Sequence, residues 1–138
     1  MIDMKKLSFV QVSKAAGFAI AGAIVVNVVL FFLLKAVGVF NDDIDIQPGQ
    51  KLGIVPIIFS STLPLIVGAL LFILLDKFTQ NGYKIFSIIS IILLAVSFIN
   101  PFVGIPGITL SFGIGLNILH IPPALSLLYF LKKETASV

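Results

Sequence analysis

The sequence predicts an all-α integral membrane protein, an antiparallel bundle of four helices formed by a single domain over residues 1–138. Hydrophobic residues make up 59% of the chain and charged residues only 11%, whereas a soluble domain carries about 25% charged residues. The apolar residues also fall into separate runs of about 20 residues, which is the length that a helix needs to cross a bilayer. A chain this apolar cannot cover a water-facing surface with polar groups, so lipid is the solvent that suits it.

Four apolar runs define the predicted transmembrane spans: residues 15–37, 53–75, 83–102 and 111–131. An acidic loop, residues 38–52, follows the first span, and the other connections are short, which favours antiparallel neighbours. Asn100-Pro101 interrupts the third span. Its end is therefore expected to be a kink or a shallow re-entrant turn, and the kink is favoured because irregular backbone deep in a bilayer needs protein cover.

The distribution of lysine predicts the orientation of the spans. Lysines gather at one end of the predicted bundle: Lys5, Lys6, Lys14, Lys77, Lys84, Lys132 and Lys133. The other end carries only Lys35 and Lys51. By the positive-inside rule, both termini are expected in the cytoplasm and the acidic loop outside. The first apolar run continues too far for a cleaved signal peptide, so we expect it to be retained as a helix.

Several kinds of chemistry have no support in the composition. The chain has no cysteine, so thiolate metal sites and cysteine nucleophiles are not expected. One histidine cannot supply the three or four ligands of a metal site, and no cofactor is predicted. Asp42, Asp43 and Asp45 lack the later glycine and glutamate of a calcium loop, so they are interpreted as a solvated acidic loop. Lysines at segment ends do not form the basic patch of a nucleic-acid-binding protein.

Small and polar residues within the spans repeat at helical spacing, and such stripes are expected to face the inside of a bundle. The first span carries Ala16, Ala19, Ala23 and Asn27; the third carries Ser87, Ser90 and Ser97; the fourth carries Gly113, Asn117, His120 and Ala124. Pro64 lies near the middle of the second span and leaves the carbonyl of Ser60 without its helical donor. We therefore predict a polar layer near the bilayer midplane, and its candidate residues are Asn27, Ser60, Ser90, Asn117 and His120.

Two interpretations of this layer remain open. It is either a site that binds a small ligand or handles protons, with His120 as the only intramembrane group that titrates near neutral pH, or it holds the helices together. Interhelical hydrogen bonds contribute roughly 0.6–2 kcal/mol each and need no ligand to explain them, so the structural interpretation is favoured. A serine–histidine–acid triad is not expected, because no carboxylate lies within the spans to orient His120. Pro122-Pro123 should free the carbonyls of Ile118 and Leu119 and kink the fourth span.

The chain resembles a family of small bacterial four-helix membrane proteins of unknown function. The resemblance covers nearly the whole chain and depends on Asn27 in the first span, a proline-containing external connection, and Thr109 placed before His120. It departs from the family where Pro122-Pro123 follows the histidine. The resemblance supports the four-helix fold, draws attention to His120 and Thr109, and implies no known activity.

The sequence therefore predicts a multi-pass protein of a bacterial inner (plasma) membrane that is not an enzyme. It is expected to act as a structural component or to interact with a partner, which is either another membrane protein or a second copy of the chain. The alternative is a small-molecule binding or transport subunit with its site around His120. A ligand-binding protein should show a cavity at that residue, whereas a structural protein should tolerate replacement of the histidine.

Overall fold

The computed structural model describes residues 6–136, so Lys5 lies outside the described residues. Its helices are α1 (Phe9–Ala36), α2 (Ile54–Phe78), α3 (Gly82–Ser97), α4 (Asn100–Gly104) and α5 (Leu110–Ala136), and its strands are β1 (Asp45–Gln47) and β2 (Gln50–Lys51). Four candidate spans are long and apolar enough to cross a membrane: α1, α2, α3 with α4, and α5. The predicted fold class is confirmed. Helices α1, α2 and α5 each extend a few residues beyond one end of the predicted apolar run.

The helices pack as a ring in which α1 and α3 each contact both α2 and α5. Among the described residues, α1 and α3 do not contact each other, and α2 meets α5 across the middle. Hydrogen bonds join Ala19 to Ser126 and Asn27 to Leu119. Residue numbers therefore rise along α1 while they fall along α5, and this pairing is consistent with the predicted antiparallel arrangement.

Two apolar clusters fill the interior, one toward each end of the bundle. The first cluster contains Val12, Ala15, Ala16, Ala19, Ala23, Leu65, Ala69, Phe72, Phe86, Leu127 and Leu131. The second cluster contains Phe31, Phe40, Ile44, Ile57, Phe112 and Leu119. The small-residue stripe predicted for the first span is confirmed as buried, because Ala19 is fully covered and Ala23 and Asn27 are 1% exposed. Small side chains there let α1 approach its neighbours closely.

The acidic loop folds over one end of the bundle. Phe40 and Ile44 are buried in the second cluster. Gly115 of α5 leaves room for the Phe40 ring, since an added Cβ would lie 2.8 Å from Cε1 of Phe40. The loop then forms the β1–β2 hairpin, whose turn includes Gly49 at φ +73°, a conformation that favours glycine. A hydrogen bond from Lys51 holds the pKa of the Asp45 carboxyl below its ordinary value.

The third span is broken where the sequence predicts an interruption. Helix α3 ends at Ser97 and α4 begins at Asn100, with Pro101 in its first turn. Because proline has no N–H, it is tolerated at a helix start but cannot donate to the preceding turn. The main chain therefore changes direction at Phe98 and Ile99, which form a turn. This break places the Phe98 carbonyl beside α5.

At the opposite end, the start of α1 is tied to the end of α2. The Lys6 ammonium donates to the main-chain carbonyls of Asp76, Lys77 and Thr79, which lie where a helix leaves its last carbonyls without partners. The Leu7 N–H donates to Oδ2 of Asp76 over 2.9 Å. These contacts hold the ends of α1 and α2 together beside the α2–α3 turn.

Candidate functional site

Asn27 forms a buried polar contact among three helices. Its Nδ2 donates to Oγ of Ser61 on α2 over 3.0 Å and to the carbonyl oxygen of Leu119 on α5 over 2.9 Å. The Leu119 carbonyl lacks its usual helical donor because Pro123, four residues later, has no N–H. Asn27 therefore supplies the donor that the proline removes, and Pro123 is accommodated within a continuous α5.

Asn117 makes an equivalent contact between α5 and the broken third span. Its Nδ2 donates to the Phe98 carbonyl over 3.1 Å. In an α-helix that carbonyl would accept from the N–H of Phe102, but that N–H instead bonds the carbonyl of Ile99. Asn117 thus satisfies a carbonyl that the break between α3 and α4 has exposed, as buried main-chain groups require.

His120 lies one turn further along α5 and contacts Ser97 at the end of α3. Nδ1 of His120 is 3.4 Å from Oγ of Ser97, and the same oxygen lies 2.7 Å from the carbonyl of Leu94, to which it donates. Because α3 ends at Ser97, this serine is held at a helix terminus beside the imidazole. The side chain of His120 is partly buried and faces a cavity.

The cavity has a volume of about 650 Å³ and lies between α2, α3 and α5. We call it the lateral cavity. Its apolar wall includes Leu63, Val67, Leu71, Phe86, Leu93, Leu94, Leu116, Leu119, Pro123 and Leu127, and its polar side chains are Ser60, Ser90, Ser97 and His120. A few polar groups in an apolar cavity are typical of small-molecule sites.

The lateral cavity opens sideways, between α2 and α3. Leu63 and Val67 on α2 and Leu93 on α3 form its rim, and each is more than half exposed. Ile46 of the hairpin and Leu52 lie at the end nearest the acidic loop. The opening is therefore on the apolar side of the bundle, which would face lipid if the four helices span a membrane.

Four of the five residues of the predicted polar layer fall into two parts, and Asn117 belongs to neither, because it bonds the Phe98 carbonyl and does not line the lateral cavity. Asn27 of α1 is packed against α2 and α5. The sequence predicted that it would lie near Ser60, but its hydrogen bond is to Ser61. The Ser60 hydroxyl donates to the carbonyl of Ile57 in its own helix and lines the lateral cavity together with Ser90 and His120.

Thr109 lies outside both parts of the layer. It is exposed and caps α5, since its Oγ1 accepts from the N–H of Phe112 over 3.3 Å. Thr109 therefore lies at the start of α5, whereas His120 lies near its middle. The structure does not bring the two side chains together.

Sequence reasoning missed the role of Ser61. The sequence did carry a signal for it, because Ile57, Ser61, Leu65 and Ala69 are spaced four residues apart along one helix face. All four are buried in the structure. Ser97 was recognised as part of a stripe, but its contact with His120 could not be predicted, because it depends on where the third span breaks.

The fold and the cavity define a small all-α protein with four helices able to span a membrane and a side opening that leads to a histidine. The chain belongs to a family of unknown function, DUF6069, whose family model matches residues 8–137. The predicted resemblance to a family of unknown function is thereby confirmed. Searches of curated proteins and of solved structures found no significant match.

Proposed function

We propose that this protein is a multi-pass membrane protein that binds a small, largely apolar molecule in the lateral cavity. The observation that carries the proposal is the composition of the cavity, whose wall is apolar and includes only a few polar groups, among them His120, Ser90 and Ser97. An amphiphile dissolved in the bilayer would enter between α2 and α3, place its hydrocarbon body against leucine side chains, and direct its polar group toward His120.

The surroundings of the cavity favour binding over catalysis. Within residues 6–136, no carboxylate lines the cavity, and no group of three or more histidine, cysteine or acidic side chains could hold a metal ion. General acid–base or nucleophilic catalysis needs a second group that orients the histidine. We therefore propose a non-enzymatic role, as a binding protein or as the binding subunit of a transporter.

We further propose that the membrane is the inner membrane of a bacterium and that both termini face the cytoplasm. The support is the concentration of lysine at one end of the bundle. Lys6 contacts the end of α2, and Lys14 lies 3.5 Å from Glu134 near the end of α5. Lys77 and Lys84 are at the same end, and positive residues of this kind are retained on the cytoplasmic side.

A role as a structural or partner-binding component is the second proposal. Its support is the contact of Asn27 with α2 and α5, which stabilises the bundle without a ligand. The two roles respond differently to His120→Phe. A partner-binding protein keeps its complexes after this change, whereas a binding protein of the proposed kind loses affinity for its ligand.

Photocrosslinking in nanodiscs tests the ligand-binding proposal. The probe is a long-chain fatty alcohol that carries a diazirine in its hydrocarbon chain, and the labelled residues are mapped by mass spectrometry. We expect labelling of cavity residues on α2, α3 and α5 to exceed labelling of Val25 and Val29, which are exposed on the outer face of α1. Equal labelling of both surfaces would show that the probe only dissolves in the surrounding lipid.

Two variants with the same chemical change provide the control. Ala124→Phe fills the lateral cavity and should abolish the excess labelling, whereas Ala95→Phe adds the same ring on the exposed side of α3 and should leave it unchanged. Ser90→Leu is a second, smaller filling change in case Ala124→Phe impairs folding. Excess labelling that persists in a folded cavity-filled variant would overturn the proposal.

A further inference from the structure

The hydrogen bonds around Ser97 determine which nitrogen of His120 carries the proton. A serine hydroxyl has one proton and two lone pairs, and Oγ of Ser97 donates that proton to the Leu94 carbonyl over 2.7 Å. The same oxygen can therefore act only as an acceptor toward the imidazole, 3.4 Å away. In the neutral imidazole, Nδ1 then carries the hydrogen and Nε2 is the unprotonated nitrogen.

The unprotonated Nε2 is left as a hydrogen-bond acceptor. It has no hydrogen-bond partner within the described part of the chain, and it is not among the fully buried atoms without partners. Because His120 lines the lateral cavity, a molecule in that cavity can reach Nε2. An acceptor can be satisfied only by a ligand that brings a donor.

We propose that the ligand of the lateral cavity is an uncharged amphiphile with a hydroxyl group that donates a hydrogen bond to Nε2 of His120. This inference rests on the proposed function and specifies its ligand class. The chemical class includes fatty and isoprenoid alcohols, sterol-like alcohols and quinols, and it excludes ethers and ketones that only accept.

The position of His120 excludes charged polar groups. Residue 120 lies near the middle of α5, which runs from Leu110 to Ala136, and a charge at that depth of a bilayer is costly unless it is paired. An ammonium donor would need a carboxylate, and none of the described residues that line the cavity is acidic. A hydroxyl donates the same hydrogen bond without the cost of burying a charge.

Nitrogen NMR of the histidine side chain tests the first step directly. The chain contains one histidine, so ¹⁵N-histidine labelling in nanodiscs gives signals from His120 alone. At a pH where the imidazole is neutral, we expect the protonated signal from Nδ1 and the unprotonated signal from Nε2. In Ser97→Ala, Nδ1 loses its acceptor, and we expect a mixture of the two tautomers. A protonated Nε2 in the natural chain would overturn the inference.

A matched pair of probes tests the second step. Tetradecanol and methyl tetradecyl ether share one hydrocarbon chain and differ in the O–H donor. We expect tetradecanol to shift the Nε2 signal and to bind about tenfold more tightly than the ether, which is the effect of one net hydrogen bond. The His120→Phe variant should bind the two probes with equal affinity, because tetradecanol loses the hydrogen bond that the ether never made.

The outcomes separate this inference from the proposed function. If both probes bind in the cavity with equal affinity and neither shifts Nε2, the cavity binds amphiphiles but the hydroxyl inference is wrong. If neither probe binds and the fatty-alcohol crosslinks show no excess in the cavity, the proposed function fails and the inference fails with it. Tighter binding of the alcohol with a shifted Nε2 signal supports both.

Discussion

Asn27 and Asn117 perform the same task at two places in the molecule. Each donates an amide N–H to a main-chain carbonyl that has lost its helical donor, Leu119 in one case and Phe98 in the other. The first loss is caused by Pro123 and the second by the break before Pro101. A buried carbonyl without a donor is costly, so these side chains allow the prolines to lie inside the bundle.

Replacement of Asn27 should destabilise the protein. Asn27→Leu removes hydrogen bonds to Ser61 and Leu119, and we expect the free energy of unfolding to fall by about 1–2 kcal/mol. The measurement is the unfolding of the protein in mixed micelles by increasing denaturant, followed by far-UV circular dichroism.

Ser61→Ala is the matched control for that change. It removes one of the two hydrogen bonds and leaves the Leu119 carbonyl paired, so we expect a smaller loss of about 0.6 kcal/mol. The double variant shows how strongly the two side chains are coupled. An Asn27→Leu variant as stable as the natural chain would mean that this contact does not hold the helices together.

At the scale of the elements, glycines determine how closely the helices and their connections approach. Gly113 of α5 lies under the Phe102 ring of α4, where an added Cβ would come within 2.4 Å of ring atoms, and Gly82 begins α3 against the main chain of α2. These contacts differ in kind. A phenyl ring can rotate away from a new methyl group, whereas main-chain atoms of a packed helix cannot.

Gly82→Ala should therefore be more harmful than an ordinary helix substitution. The new Cβ would lie 2.6 Å from Cα and 2.9 Å from the main-chain nitrogen of Asp76, and overpacking of this kind typically costs about 1–3 kcal/mol. We expect a lower midpoint of thermal unfolding in detergent, measured by the loss of helical circular dichroism.

Gly17→Ala provides the comparison for Gly82→Ala. A Cβ at Gly17 would meet no atom within 4 Å, and alanine has a higher helix propensity than glycine. We expect Gly17→Ala to be as stable as the natural chain or more stable. Equal effects of the two substitutions would contradict the close approach of α3 to the end of α2.

At the scale of the whole molecule, the two ends of the bundle differ in charge and closure. One end carries most of the lysines, including Lys6, which donates hydrogen bonds to carbonyls at the end of α2. The other end is covered by the acidic loop, whose Phe40 and Ile44 are packed into the second cluster. Because that loop covers the end opposite the lysines, the lateral cavity is left with its opening between α2 and α3.

The predicted orientation can be measured with single cysteines, since the chain has none of its own. Asp43 in the acidic loop and Gln80 in the α2–α3 turn are both exposed. In intact bacterial cells, we expect a membrane-impermeant maleimide to label Asp43→Cys and to spare Gln80→Cys. Permeabilised cells should label both variants equally, which controls for reactivity, and the reverse pattern in intact cells would place both termini outside.

Much of the fold followed from the sequence because the signals are local. Each run of about 20 apolar residues specifies a helix by its length and composition, and Asn100-Pro101 specifies a break by removing an N–H. The buried stripe of Ala16, Ala19, Ala23 and Asn27 followed from helical spacing. The candidate site was predicted in part, since His120 and Ser90 do line the cavity, whereas Thr109 caps a helix.

Only the tertiary structure decided which polar groups meet. The hydrogen bond of Asn27 to Ser61, in place of the Ser60 region, depends on the rotation of α2 about its axis, and the contact of His120 with Ser97 depends on the point at which α3 ends. The lateral cavity depends on the spacing between α2 and α3 where both pack against α5. Such features result from packing between residues that are distant in the sequence. The periodicity of residues within one helix does not specify how two helices are rotated and spaced relative to each other.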